Sequence, residues 1–112
     1  MEDSIKFVHA IKFKDVDLVD CSSDSNSHLQ KIPDAPLYQI PFAEAIKKHT
    51  SMRTATVNLI TTTQQSEGIL QAQQADLIVL ARQLLRDPYF PLHAARELGV
   101  EGPWPDQYLR AK

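Results

Sequence analysis

Asp76-Leu77-Ile78-Val79-Leu80-Ala81-Arg82 holds the longest apolar run in the chain, and its reading decides the fold. An unbroken aliphatic run of this length, rich in branched side chains, predicts a strand over 76–81 that is buried on both faces, as in a parallel sheet. Downstream, Arg82–Leu85 reads as a short helical turn and Tyr89–Leu98 as a helix ended by Gly99. The tail, Val100–Lys112, carries Pro103, Trp104 and Pro105 and reads as irregular.

Upstream, a helix is expected over Thr63–Gln73, although its apolar positions Ile69, Leu70 and Ala72 are few. Gly68 inside it costs about 1 kcal/mol relative to Ala. Thr54–Ile60 is a second β-branched strand. A helix beginning at Pro41 presents Phe42, Ala45 and Ile46 as its apolar stripe, with Lys47 and Lys48 suited to its C-terminal dipole. The stretch Ser22–Gln39, with Pro33 and Pro36, reads as an irregular loop long enough to be functional. Val16–Cys21 is the first strand. Before it, Ile5, Val8 and Ile11 fall at helical spacing within Ser4–Phe13, with Ser4 or Asp3 as the N-cap.

Three apolar strands alternating with helices form a βαβαβ pattern, which builds a parallel, right-handed α/β sheet covered by helices. Three such strands alone leave open edges, an awkward object in water but a natural portion of a closed barrel. By pattern alone, a barrel and a Rossmann-like sheet both remain open. At 112 residues the chain is one domain at most.

The composition is 43% hydrophobic and 23% charged, which argues against disorder, and the net charge of -2 provides no broad field for nucleic acid. No apolar run approaches the ~20 residues needed to span a bilayer. Met1 is followed by Glu2 and Asp3 rather than by a basic, then apolar, leader, and the lone Cys21 has no disulfide partner. A cytoplasmic location is expected. His9, His28, His49 and His93 are scattered without ligand spacing, so no metal site is expected. Cys21, at the end of a buried strand, reads as a packed thiol rather than a nucleophile. Ser22 and Ser23 lack a glycine elbow, which argues against a serine hydrolase.

Three segments carry a resemblance. They are Val16-Asp17-Leu18-Val19-Asp20-Cys21-Ser22-Ser23 with Tyr38-Gln39-Ile40-Pro41-Phe42-Ala43-Glu44, then Ala75–Tyr89, and finally Pro103-Trp104-Pro105-Asp106-Gln107-Tyr108-Leu109-Arg110. Together they are similar to strands six and eight and the C-terminal tail of the Old Yellow Enzyme family, in its bacterial-type branch of NADPH dehydrogenases and xenobiotic reductases. The resemblance implies a TIM (β/α)8 barrel that binds FMN and takes electrons from NADPH. Residues 1–112 would then form a partial barrel, from strand six to the tail. In such barrels phosphate commonly sits on the loops after strands seven and eight. By resemblance, the backbone at Asn58 and Leu59 and the Ala81-Arg82 pair would hold the FMN phosphate, with the Arg82 guanidinium as a charge-assisted donor. Arg110 corresponds to an arginine that reaches into a neighbouring subunit's active site. A mobile tail residue is the competing reading, and the one favoured, because an arginine finger needs a complete site opposite it.

The departures from the family are specific. Asp24, Ala35, Leu37, Asn58 and Ala81 stand where the family usually has glycine, which admits positive φ or close approach to a phosphate. Side chains at Asn58 and Ala81 are expected to crowd the phosphate, Leu37 to block the bend before Tyr38, and FMN affinity to be weak. The family's paired substrate-binding histidines, its active-site tyrosine and its first flavin-binding loop belong to strands the resemblance does not reach. No catalytic residue is therefore assigned, and the chain alone is expected to be inactive. The expected activity by family is FMN-dependent NAD(P)H oxidation. The competing classes are a non-catalytic chain that folds or self-associates and a binding module for phosphorylated small molecules. Open edges favour a homo-oligomer or aggregation, with Trp104 and Tyr108 read equally as a docking patch or as a tail packed on its own domain.

Overall fold

A computed structural model describes residues 1–22, 29, 37, 39–57 and 59–112. Its elements follow the alternating order: α1 (Glu2–Ile11), β1 (Leu18–Cys21), α2 (Ile40–Thr50), β2 (Arg53–Val57), α3 (Thr63–Gln71), β3 (Leu77–Val79), α4 (Arg82–Arg86), α5 (Phe90–Glu97) and a 3-10 helix, Asp106–Ala111. The three strands form one sheet in the order β1-β2-β3, parallel throughout. The expected α/β class is what the chain adopts. Asp24, Ala35, Tyr38, Asn58 and most of the 22–39 loop lie outside the described residues.

Strand alternation divides the sheet into two unlike faces. Val19, Thr54, Thr56 and Ile78 lie on one side in register with Cys21. This side meets Val8 of α1, Ala43 and Ile46 of α2 and Ile69 of α3 in the main apolar cluster. The opposite face carries Leu18, Ala55, Val57, Leu77 and Val79, and Leu77 there is 53% exposed. Thr54 and Thr56 are wholly buried, with no hydrogen-bond partner for either hydroxyl among the described residues. Such a hydroxyl costs on the order of 1–3 kcal/mol, whereas the β-branched shape suits a central strand.

Several local expectations are corrected. Neither Ser4 nor Asp3 caps α1. It starts from Met1 without a side-chain cap, and Glu2 and Asp3 instead sit in the first turn, where negative charge favours the helix dipole. In α2 the buried stripe is Ile40, Ala43, Ile46 and Thr50, so Ala43 replaces Ala45, and Phe42 is only half-buried. The strands are shorter than their apolar runs because Ile60 and Leu80 bury against the core after leaving the sheet. The tail is not wholly irregular. Its end forms the 3-10 helix, and Tyr108 meets Tyr89 edge to face with centroids 6.1 Å apart. Tyr108 therefore packs on its own chain.

α3 forms despite Gly68 because its start is fixed by a capping box. Thr62 Oγ1 accepts from the Gln65 N–H at 3.1 Å, and Gln65 Oε1 accepts from the Thr62 N–H at 3.2 Å. α5 ends as expected at Gly99, whose φ is +70. There the Gly99 N–H reaches Arg96 O, and the Val100 N–H reaches Ala95 O at 2.8 Å, a Schellman closure.

Candidate functional site

The parallel register aligns the C-terminal ends of β2 and β3. Val57 lies opposite Val79, so Leu59 and Ala81, each two residues further on, begin turns that leave adjacent strands in the same direction. This end of a parallel sheet is where ligands of α/β folds bind.

The turn after β2 is held by two downstream anchors. Ile60 is 3% exposed and anchors it to the core. Gln65 Oε1 reaches back to the Thr61 N–H at 2.9 Å. Just before these anchors Leu59 takes φ 40 with its side chain exposed, so its backbone sits in the left-handed region that costs a non-glycine residue roughly 1–2 kcal/mol. Asn58 lies outside the described residues.

After β3, Leu80 packs on the core and Ala81 becomes the N-cap of α4, offering its carbonyl to the N–H groups of Leu84 and Leu85 at 3.1 and 3.2 Å. Ala81 has φ -122, outside the left-handed region, so the backbone here has no positive φ that would favour glycine. Arg82 is exposed and has no ion-pair partner among the described residues. Its guanidinium is thus uncommitted. Arg86, one turn on, donates to Gln83 Oε1 at 3.3 Å.

Asp87, which the sequence reading passed over, orients the element that follows. Its Oδ1 accepts the Tyr89 N–H at 3.1 Å and its Oδ2 contacts His93 Nδ1 at 2.8 Å, tying the start of α5 to the turn after β3. An aspartate directly before Pro88 and a helix was the available signal.

Arg110 lies exposed on the terminal 3-10 helix. No hydrogen bond or ion pair joins it to Leu59, Ala81 or Arg82 among the described residues. Leu37, expected to block the bend before α2, does not. It takes φ 64, packs its side chain against the core and accepts the Ile40 N–H at 3.2 Å. Apolar anchorage offsets the backbone cost that glycine would avoid.

A cavity of about 570 Å³ opens between α1, β1 and α2, lined by Phe7, Val8, Val19 and Phe42 with Cys21 among them. Burial, and then the neighbouring Asp20 carboxylate, push the Cys21 thiol up from its ordinary value. It therefore holds its proton near neutrality and is a poor nucleophile. No helix among the described residues is long and apolar enough to cross a membrane.

A sequence model of the NADH:flavin oxidoreductase / NADH oxidase family matches residues 1–101. The chain belongs to this family. Membership in the flavin oxidoreductase family implies FMN as the cofactor. It also accounts for the three-stranded parallel sheet as α/β structure of the barrel type.

Proposed function

We propose that this chain is the phosphate-binding end of an FMN-dependent NAD(P)H oxidoreductase of the Old Yellow Enzyme type, in the bacterial-type NADPH dehydrogenase branch. Residues 1–112 would correspond to strands six to eight and the tail of a (β/α)8 barrel. The observation that carries the reading is the pairing of two turns at one end of the sheet. Leu59 and Ala81 emerge side by side from β2 and β3, and the adjacent Arg82 is exposed with no ion-pair partner among the described residues.

In this reading the residues fit the phosphate of FMN. Backbone at Asn58, Leu59 and Ala81 would approach it, and Arg82 would supply a charge-assisted donor. Bound there, FMN would supply hydride-transfer chemistry between a reduced nicotinamide such as NADPH and an acceptor such as an activated alkene. The contribution of these residues is grip and orientation. Ala81 adds a methyl group at the turn where glycine would leave room, so the grip is expected to be weak. A strained Leu59 supports the reading, because unfavourable backbone conformations cluster at ligand-binding positions. Self-association is expected, and the lone buried Cys21 suits a reducing cytoplasm.

Calorimetric titration with FMN, riboflavin and ribose 5-phosphate tests the assignment. FMN and ribose 5-phosphate should bind weakly, riboflavin more weakly still, and Arg82→Ala should remove about 1.5–3 kcal/mol of the phosphate contribution. Riboflavin binding as tightly as FMN would end the phosphate-grip reading.

A further inference from the structure

Arg82 opens α4, a helix of five residues with none of them buried. Leu85 within it is 84% exposed. A helix this short does not hold itself in water, and no burial against the core holds this one, so its direction is set at its ends. Upstream, Leu80 packs on the core and the Ala81 carbonyl takes the Leu84 and Leu85 N–H groups.

Downstream, Asp87 precedes Pro88, a position from which helical backbone is sterically disfavoured. α4 stops there, with Asp87 extended at φ -137 and ψ 90 and its N–H closing on Gln83 O at 2.8 Å. The Asp87 side chain then fixes this end to α5. Oδ1 takes the Tyr89 N–H at 3.1 Å and Oδ2 takes His93 Nδ1 at 2.8 Å. Both oxygens accept, so the His93 ring donates from Nδ1. The start of α5 is a firm base for this contact. Phe90 is 7% exposed, the His93 N–H returns to Tyr89 O at 3.0 Å, and Tyr89 meets Tyr108 edge to face. Asp87 thus joins a helix that lacks burial to one that has it.

We propose that Asp87 and His93 are positioning residues for Arg82. Their contact fixes the direction of α4, and hence the place from which the Arg82 guanidinium reaches the phosphate of a flavin nucleotide or a sugar phosphate. Both act through α4 rather than on the ligand. The inference rests on the phosphate grip proposed above and deepens it. A partly exposed pair of this kind adds little to global stability, so its effect is local. A ligand that must first order α4 binds less tightly than one that meets it already in place.

NMR of the full chain tests this, by backbone amide relaxation of the free protein and by shift titrations with FMN, ribose 5-phosphate and riboflavin. Asp87→Ala should lower the order parameters of the Arg82–Arg86 amides from about 0.85 toward about 0.6 and leave those of β3 unchanged. It should weaken FMN and ribose 5-phosphate about three- to tenfold, and riboflavin, which has no phosphate, by less than about twofold. Asp87→Asn should restore most of the affinity, because its amide oxygen still takes the Tyr89 N–H and its amide nitrogen donates to the other tautomer of His93. His93→Ala should weaken FMN about two- to fivefold, and it decides the matter if Asp87→Ala loses its helical circular dichroism. Unchanged FMN affinity in Asp87→Ala and His93→Ala, while Arg82→Ala still weakens it, overturns the positioning role alone. So does an equal loss for riboflavin. Unchanged FMN affinity in Arg82→Ala, or no binding by the wild type, overturns the phosphate grip and the positioning role with it.

Discussion

The Asp76 carboxylate joins Lys47, 29 residues earlier, to the backbone of Thr54, taking Lys47 Nζ on Oδ1 at 2.5 Å and the Thr54 N–H on Oδ2 at 2.9 Å. It thereby ties the end of α2 to the starts of β2 and β3. The adjacent Asp76 N–H to Thr54 O bond completes the clasp. A one-residue slip of β3 would break every part of it and turn the strand's side chains to the wrong face.

This clasp makes stability depend on pH in a definite direction. The Lys47 hydrogen bond, then the Thr54 N–H, hold the Asp76 carboxyl below its ordinary value, against the opposing effect of burial. A depressed folded-state value means the stabilisation is present above the ordinary carboxylate range and is lost as pH falls through the depressed value. Urea unfolding at neutral pH should show Asp76→Ala less stable by about 1–2 kcal/mol. The gap to the wild type should close in acid. A gap that is constant with pH would show that the ion pair contributes nothing through its charge.

Gln73 occupies the residue after the C-cap of α3 with φ 56, while the Gln74 N–H closes on Ile69 O at 3.1 Å. This is the position that favours glycine, and Gln73 is exposed, so its side chain has little packing to lose. Gln73→Gly should raise the midpoint of denaturant unfolding, worth about 0.5–1 kcal/mol once the greater freedom of the unfolded glycine is subtracted. Gly99→Ala, at φ +70 after α5, should lower it by a similar amount. A stabilised Gly99→Ala variant would contradict the left-handed geometry assigned there.

Hydride transfer requires donor and acceptor to be stacked at reaction distance by surrounding walls. In the proposed reading the elements around the Leu59 and Ala81 turns would provide one side of such a site. The chain supplied with FMN and NADPH should therefore oxidise NADPH no faster than free flavin does. Turnover above that level, abolished by Arg82→Ala, would show that the residues present suffice for catalysis.

Much of the layout was legible in the sequence. The aliphatic runs Leu77–Val79 and Leu18–Val19 and the helical spacing of Ile5, Val8 and Ile11 announced their elements, as did Gly99 for the end of α5. The Thr62 to Gln65 capping box was also readable, because an N-cap threonine followed three residues later by glutamine is a local signal. It was overshadowed by Gly68 and the weak apolar stripe of α3. At the candidate site, the position of Ala81 and Arg82 directly after an apolar strand was visible. The φ of Leu59, and the lack of an ion-pair partner for Arg82 among the described residues, were not.

The sequence by itself determined the kinds and order of elements, because side-chain periodicity, caps and turn residues act within a few positions along the chain. Tertiary structure alone decided that Lys47 serves Asp76 rather than only its helix dipole, that Ala43 rather than Ala45 is buried, and that Leu37 and Leu59 hold left-handed backbones. Each of these depends on what residues distant in sequence place alongside, and packing against them outweighs local preferences of about 1 kcal/mol.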